Sequence, residues 1–288
     1  LIDGPHEVVA VVTRPDAPTG RKRVLTPSAV ADAAQAGGIP VIKAARLDAA
    51  ATEAICATQP DLGVVVAYGG LVRDPLLSAP AHGWINLHFS LLPRWRGAAP
   101  VQRALIAGDE MLGACVFALV PELDAGDIYA RLSYEPPAMA TASDVLDALV
   151  HRGAYLVEEV VASLVNGTAR AQAQQGEPTL APKLTVDDGR LDWSEPAGRV
   201  LARWRGVTTE PGAFTTVAGV RVKILAAGPG THADGLAPGR IAQHDGTVLI
   251  GTGTDPVAVY RVQPAGKATM AAADWWRGLR VDEPVAGS

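Results

Sequence analysis

Short apolar runs typical of strands alternate with helical patterns through residues 1–165, and this alternation restricts the fold more than any other feature of the chain. The predicted strands are 8–13, 40–42, 62–67, 84–88, 113–120 and 128–134, and the predicted helices are 28–36, 48–58, 98–107 and 143–165. Ser28, Asp48 and Ser143 are suitable N-caps for three of these helices. Because near-continuous apolar runs such as 64–66 suit a sheet covered on both faces, we predict a doubly wound α/β domain.

A different pattern follows this region. The helical period stops between 166 and 183, where small and polar residues predict a linker. A helical pattern at 196–205 then precedes five strand candidates at 213–217, 220–225, 239–243, 247–251 and 257–262. Five short strands in so few residues favour a small, OB-like β-barrel. The 288 residues are therefore divided into an α/β domain at 1–165, a linker at 166–183 and a C-terminal domain at 184–288.

The composition is that of a globular protein without a membrane span. Apolar residues make up 48% of the chain, which is enough to bury a sizeable core. The longest apolar stretch, 62–72, is too short for a spanning helix and contains three glycines. Cys56 and Cys115 have no metal-ligand spacing and are predicted to be buried, reduced thiols in a cytoplasmic protein.

Several common enzyme signatures are missing from the sequence. It contains no G-x-G-x-x-G after a strand, no P-loop and no G-x-S-x-G elbow, and its six histidines lack zinc spacing. These observations argue against a dehydrogenase, a P-loop enzyme, an α/β-hydrolase or a zinc enzyme.

The positive charge is concentrated locally although the formal net charge is −5. Residues 196–281 carry ten basic and five acidic residues, and Arg14, Arg21, Lys22 and Arg23 cluster near Asp16. Such patches can hold a polyanion on one side of an acidic protein. Ordinary solvated side chains are the alternative interpretation.

Two polar side chains occur on the predicted strand 84–88. Strand alternation places Asn86 and His88 on the same face, close to the carboxyl end where open α/β sheets bind ligands. Asp124 follows the predicted strand 113–120 and is expected to approach His88 there, so that the largest polar cleft would open at this edge. A carboxylate beside an imidazole orients it and favours its charged form, which suits acyl transfer. A satisfied polar pair at 86 and 88, and a simple turn at 124–127, remain as alternatives.

The chain resembles the 10-formyltetrahydrofolate-dependent formyltransferases. The resemblance rests on four blocks in this order: Ala67-Tyr68-Gly69, residues 86–93 (Asn-Leu-His-Phe-Ser-Leu-Leu-Pro), residues 94–100 (Arg-Trp-Arg-Gly-Ala-Ala-Pro) and residues 123–127 (Leu-Asp-Ala-Gly-Asp). The second and fourth blocks are highly specific to the superfamily. The third block and the C-terminal domain resemble the branch that acts on tRNA.

This resemblance implies transfer of a formyl group from N10 of the folate to the amino group of methionine esterified to initiator tRNA, without a metal. The family's catalytic triad falls on Asn86, His88 and Asp124. The folate pocket would be bordered by Ala67, Tyr68, Gly69, Gly70, Ser90, Leu91, Leu92 and Pro93. The tRNA would be contacted by Arg21, Lys22, Arg23 and Lys267, and the enzyme is expected to be a cytoplasmic monomer.

The sequence departs from the family pattern at three places. Phe89 stands where some members have glycine, and residues 207–210 replace an Asn-Pro turn. Family members also begin with a strand and a Gly-Thr-Pro turn upstream of Leu1, so we expect the first strand of the α/β domain to be missing from this chain.

Other functions share part of these features. A formyltransferase that acts on a sugar nucleotide or another amine, or a formyltetrahydrofolate hydrolase, would have the same Asn, His and Asp but would not need the basic loop at 21–23. A non-catalytic RNA-binding paralogue would not need the intact triad.

Overall fold

The structure is a computed structural model that describes residues 1–2, 4–20, 23–231 and 235–287. The chain divides into two compact units. The first unit comprises Leu1–His88, Cys115–Arg131 and Gly153–Gly176, and the second comprises Phe89–Ala114, Leu132–Arg152 and Glu177–Ser288. Segments of the chain therefore alternate between the two units.

The elements up to residue 165 correspond closely to the predicted pattern. The strands are β1 (Val11–Thr13), β2 (Ala17–Thr19), β3 (Val24–Thr26), β4 (Val41–Lys43), β5 (Gly63–Val66), β6 (Trp84–His88), β7 (Leu112–Ala118) and β8 (Ile128–Tyr134). The helices are α1 (Ala29–Ala36), α2 (Ala49–Cys56), α3 (Pro100–Ala107) and α4 (Ala142–Val165). The antiparallel β2–β3 hairpin is an addition that the sequence pattern did not predict.

The strands confirm an α/β class but not a wholly parallel sheet. β1 pairs with β4 in parallel, and a separate four-stranded sheet has the order β5-β6-β7-β8. β5 is parallel to β6, whereas β7 is antiparallel to β6. The hydrophobic pattern identifies a buried strand without giving its direction, so this reversal was not predicted.

Short polar side chains fix the helix starts. The Ser28 hydroxyl accepts from the Ala31 amide at 3.0 Å and the Asp48 carboxylate accepts from the Ala51 amide at 3.0 Å, as expected for N-caps. The prediction for Ser143 is wrong, because α4 begins at Ala142. Reciprocal bonds between Thr141 and Asp144 form its capping box.

The remaining elements belong to the second unit. They are α5 (Ala197–Val207), β9 (Phe214–Val217), β10 (Val220–Pro229), β11 (Ile241–His244), β12 (Thr247–Ile250), β13 (Val257–Pro264), β14 (Met270–Ala271) and α6 (Ala272–Gly278). The six strands form an antiparallel sheet with the order β11-β12-β13-β10-β9, and β14 pairs with β13. Three buried tryptophans, Trp193, Trp204 and Trp275, lie in its core.

The predicted barrel is not formed by strand pairing in the described part of this sheet, in which β11 and β9 are the edges. Residues 284–287 contact both edges. Ala286 forms a bridge with Val217 of β9, and Val285 forms a bridge with Arg240 next to β11. Backbone bonds from Ile241 to Pro284 and from Gly287 to Thr216 reinforce these contacts.

The two cysteines are free thiols, as expected. Cys115 is fully buried, but Cys56 is only half-buried, because it lies in the last turn of α2 and not in a sheet. Across residues 1–2, 4–20, 23–231 and 235–287, no helix has the length and apolar character needed to cross a membrane.

A half-buried ion pair stabilises the second unit at the C-terminal side of the predicted linker. Arg103 on α3 donates to the Asp188 carboxylate at 2.8 Å, and the other carboxylate oxygen accepts from the Thr185 amide at 2.7 Å. Burial acts to raise the pKa of Asp188, but the bonds from Thr185 and Arg103 outweigh it and hold that pKa below its usual range.

The substitution Asp188→Asn should lower the free energy of unfolding by about 1.5–3 kcal/mol at neutral pH, the range for hydrogen bonds to a charged group. Because the pKa is lower in the folded than in the unfolded state, the carboxylate's contribution is complete above about pH 4 and is lost as the pH falls through the folded value. Urea unfolding at several pH values should therefore show that the difference in unfolding free energy between the wild type and Asp188→Asn becomes smaller at acid pH. The exposed neighbour Asp187 offers the control Asp187→Asn, and an equal deficit there would contradict the prediction.

Candidate active site

β6 separates an apolar face from a polar face. Ile85 and Leu87 are buried on one side, where Leu87 packs so closely on Gly153 of α4 that a Cβ there would lie 2.8 Å from a Leu87 methyl carbon. Asn86 and His88 alternate with them and share the opposite side, as predicted. Asn86 is half-buried, and His88 is only 6% exposed.

Asp124 reaches His88, but not by the expected route. Since β7 is antiparallel to β6, its last residue Ala118 pairs with Ile85 at the beginning of β6, away from His88. The connection from β7 to β8 must turn back to bring Asp124 to the imidazole. The resulting distance from His88 Nδ1 to Asp124 Oδ2 is 3.8 Å.

The connection at 119–127 is held tightly at its base. The Leu119 amide donates to Trp84 O at 2.9 Å and the Ala118 amide donates to Asp127 O at 2.9 Å. A Cβ at Gly126 would lie 1.8 Å from Ala118 O, so no side chain fits there. The Asp-Ala-Gly-Asp sequence is therefore a turn, as its alternative interpretation held, and this turn carries a carboxylate to His88.

The imidazole and the carboxylate interact where water is largely excluded. The His88 and Asp124 side chains are 7% and 12% exposed, so their attraction is stronger than it would be in bulk water. The ring of Phe117 meets the His88 ring edge to face, with centroids 6.2 Å apart. The carboxylate and the phenyl ring together restrict the orientation of the imidazole, as an acid–base group or an oxyanion donor requires.

The predicted folate segment at 67–70 follows β5 and lies at the same end of the sheet as His88. Val66, the last residue of β5, pairs with Leu87 in parallel register. Ala67, Tyr68, Gly69 and Gly70 are all exposed, and Ala67 has a positive φ of 53° that turns the chain away from the strand. The segment therefore offers exposed backbone groups and one exposed aromatic ring at the carboxyl end of β5.

The other predicted folate residues, Ser90 to Pro93, belong to the second unit. Ser90 is buried, and its hydroxyl donates to Arg94 O at 2.6 Å. Leu92 is 1% exposed and Pro93 is buried, while Leu91 is half-buried. The Ser90 hydroxyl is thus bonded within its own turn, and the Leu92 side chain is buried.

The predicted tRNA contacts occupy exposed positions where they are described. Arg21 and Lys22 lie outside the described residues. Arg23 is exposed and directly precedes β3 of the β2–β3 hairpin. Lys267 is exposed in a turn after β13, where its amide donates to Pro264 O at 3.0 Å.

A cavity also lies in the second unit, away from the three predicted catalytic residues. It has a volume of about 520 Å³, belongs to the second unit, and is lined by residues that include Arg190, Trp193 and Arg203. None of the three predicted catalytic residues lines this cavity. No cluster of His, Cys, Asp or Glu in the described ranges could hold a metal ion.

Sequence reasoning missed Gln174 near this site. Its side-chain Nε2 donates to Asp124 O at 2.8 Å and to Gly126 O at 2.9 Å. Gln174 lies in the polar segment that was predicted as a linker, and no local signal distinguishes it from the neighbouring glutamines. Its contact with a residue fifty positions away is visible only in three dimensions.

Two family models match the chain. The model described as formyl transferase covers residues 2–161, and the model described as formyl transferase, C-terminal domain, covers residues 183–280. The chain belongs to the formyl transferase family. The family assignment agrees with the resemblance seen in the sequence blocks.

Individual relatives and solved structures refine this membership. The chain is 57% identical to methionyl-tRNA formyltransferase of Clavibacter sepedonicus, with 98% of this chain and 92% of the relative covered. It is 51% identical to methionyl-tRNA formyltransferase of Arthrobacter sp. strain FB24, with 96% and 91% covered. HypX from Aquifex aeolicus in complex with tetrahydrofolic acid shares the fold with a TM-score of 0.60 at 21% identity, covering 81% of this chain and 44% of HypX. WlaRD, a sugar 3N-formyl transferase, has a TM-score of 0.63 at 11% identity, covering 83% and 82%.

Proposed function

We propose that the protein transfers the formyl group of 10-formyltetrahydrofolate to the amino group of methionyl initiator tRNA during translation initiation. The observation that carries this proposal is the contact of His88 with Asp124 beside Asn86, in a chain 57% identical to a methionyl-tRNA formyltransferase over nearly its whole length. Both substrates are organic molecules whose reaction needs no metal.

The reaction is an acyl transfer between two nitrogens. The methionyl amine attacks the formyl carbon and forms a tetrahedral intermediate with a negatively charged oxygen. The Asn86 amide and a His88 N–H stabilise that oxyanion by donating hydrogen bonds to it. The intermediate then breaks its bond to N10, which takes up a proton, and the products are formylmethionyl-tRNA and tetrahydrofolate.

Asp124 has two tasks in this scheme. It keeps the His88 ring oriented by lying 3.8 Å from Nδ1. It also accepts the proton that the attacking amine must lose, either directly or through a water molecule. A carboxylate whose side chain is only 12% exposed can do both, because it lies against the imidazole and is shielded from most of the solvent.

The folate is proposed to bind beside the polar face of β6. Residues 67–70 would contact it through backbone groups and the Tyr68 ring, and residues 90–93 would border it through backbone groups. This division of work suits the exposed segment after β5, the bonded Ser90 hydroxyl and the buried Leu92 side chain.

The tRNA is proposed to bind through the basic loop Arg21, Lys22 and Arg23 and through a C-terminal domain at 184–288 that includes Lys267. In this proposal residues 1–165 form the catalytic domain, 166–183 the linker and 184–288 an OB-like domain. The excess of basic over acidic residues at 196–281 supports a phosphate-binding role. The enzyme would work as a monomer in the cytoplasm.

The test is formylation of methionyl initiator tRNA by the purified protein with 10-formyltetrahydrofolate. Free methionine and an amino-sugar nucleotide serve as alternative acceptors, and a reaction without acceptor measures hydrolysis. We expect formylmethionyl-tRNA as the main product. Preferential formylation of the sugar, or hydrolysis at an equal rate, would support a related formyltransferase or a hydrolase instead. Binding of tRNA without any turnover would support the non-catalytic RNA-binding paralogue.

A variant of the basic loop tests the acceptor separately from the chemistry. Replacing Arg21, Lys22 and Arg23 together with alanine should weaken tRNA binding. A plot of the logarithm of the tRNA association constant against the logarithm of the salt concentration should also become less steep, by somewhat under one unit of slope for each lost phosphate contact. Folate binding should hardly change. Titrations with tRNA at several salt concentrations measure both effects.

A control of equal charge change is R46A/R73A/R170A, which removes three exposed arginines from outside the loop. This control should keep the wild-type salt slope. Parallel slopes for the wild type and the loop variant would contradict the proposed tRNA contact and favour a small-amine acceptor.

A further inference from the structure

The side-chain amide of Gln174 is bonded to the turn that carries Asp124. An amide nitrogen has two N–H donors, and here Nε2 lies 2.8 Å from Asp124 O and 2.9 Å from Gly126 O. The two acceptors flank Ala125, so one side chain fixes the backbone on both sides of that residue. Gln174 is half-buried, which limits competition from water for these bonds.

The backbone of Asp124 needs such support. Its φ is +46°, in the left-handed region that residues with a Cβ adopt at a cost. A conformation of this kind persists only when the surrounding structure holds it in place. Gly126 permits the close approach to Ala118 O but does not by itself keep the Asp124 carboxylate directed towards His88.

Gln174 is itself held in place. Two residues before it, Gln172 exchanges backbone hydrogen bonds with Ile128 at 2.8 and 3.0 Å, next to the start of β8. The segment around Gln174 is thereby joined to the strand that follows the Asp124 turn. The backbone of Asp124 is thus bonded to a part of the chain fifty residues away.

We propose that Gln174 is a positioning residue for formyl transfer, which acts by holding the Asp124 carboxylate against His88. This inference rests on the proposed function. Without the two bonds the turn can relax, and Asp124 moves away from a contact that is 3.8 Å long. A displacement of about 1 Å in a catalytic group can cost 10²-fold in rate.

The first experiment compares kcat and KM of the wild type and Gln174→Ala with methionyl-tRNA and 10-formyltetrahydrofolate. We expect kcat to fall by about 10- to 100-fold while both KM values stay near the wild type, because neither substrate is proposed to touch Gln174. Gln174→Glu keeps the size of the side chain but loses both N–H donors, and it should lose at least as much. The matched control is Gln175→Ala, which changes an exposed glutamine next in the chain and should leave kcat unchanged.

A double-mutant cycle separates positioning from a general structural effect. In an Asp124→Asn background, Gln174→Ala should have almost no further effect on kcat, because the group that it positions is already lost. An equal fall of kcat in both backgrounds, or an unchanged kcat in the wild-type background, would overturn the inference. Thermal unfolding of each variant identifies any loss of kcat that comes from unfolding.

A measurement without substrates keeps the inference testable even if the proposed function fails. Titration of the His88 imidazole by NMR should show Gln174→Ala moving the midpoint in the same direction as Asp124→Asn, because both take the carboxylate away from the ring. Gln175→Ala should leave the midpoint in place. If Gln174→Ala kept the His88 midpoint of the wild type, the inference would be overturned. If Gln174→Ala moved that midpoint but the wild type did not formylate methionyl-tRNA, only the proposed function would be contradicted.

Discussion

The substitution His88→Ala is expected to lower kcat for formylation of methionyl-tRNA by about 10²–10⁴-fold, the range for loss of an acid–base or oxyanion group. The reason is the position of the imidazole on the polar face of β6, beside Asn86 and 3.8 Å from Asp124. The tRNA affinity should change much less, because the proposed phosphate contacts are elsewhere in the chain. Single-turnover formylation with excess enzyme measures the chemical step directly.

Two further variants make the His88 result interpretable. His88 is almost fully buried, so alanine leaves a cavity, whereas His88→Gln retains a polar side chain that occupies much of the same space. Both His88→Ala and His88→Gln should lose activity while keeping a cooperative unfolding transition. The control His82→Ala changes an exposed histidine that precedes β6. Wild-type turnover in His88→Ala would show that the imidazole takes no part in the reaction.

The substitution Asp124→Asn should lower kcat by a similar factor of about 10²–10⁴. Asparagine keeps the shape of the side chain but removes the negative charge that faces the imidazole, and it cannot accept a proton as the carboxylate is proposed to do. Because the change is isosteric, the Asp124 turn and its bonds to Gln174 should be retained. The rate of formyl transfer is again measured in a single turnover, together with the KM for each substrate.

Asp127 provides a matched control for Asp124. It is an exposed aspartate three residues later in the same turn, so Asp127→Asn removes the same charge from nearly the same place. We expect Asp127→Asn to keep the wild-type kcat. If Asp124→Asn and Asp127→Asn lowered kcat equally, the loss would come from the negative charge of the turn as a whole. The specific contact of Asp124 with His88 would then not explain it.

The sequence predicted best those elements whose own residues decide their structure. The boundaries of β6 and β8 are those predicted, because alternation and flanking turn residues mark both ends. Ser28 and Asp48 cap the predicted helices because their side chains reach amides three residues away. Ser143 failed as a cap because Thr141 and Asp144 form a reciprocal pair that outcompetes it.

Features that depend on distant residues could not be predicted in the same way. The hydrophobic pattern of β7 is equally compatible with both directions, so the sequence predicted the approach of Asp124 to His88 but not the reversal of the chain that produces it. β2 and β3 are exposed three-residue strands, and Pro18 in β2 argues against a strand there. The role inferred for Gln174 could not be predicted from the sequence, because its bond to Asp124 joins two residues that are fifty positions apart.

The bridges made by residues 284–287 affect when the second unit can complete its folding. Synthesis on the ribosome delivers β9 and β11 well before these residues, so the backbone groups that residues 284–287 later pair are unpaired during that interval. An open edge can pair with another chain, and a nascent protein is exposed to this hazard until the residues that cover the edge have emerged. The bridges to Val217 and Arg240 can form only after residues 285 and 286 have left the ribosome, so the cover that they give to these two edges comes late in synthesis.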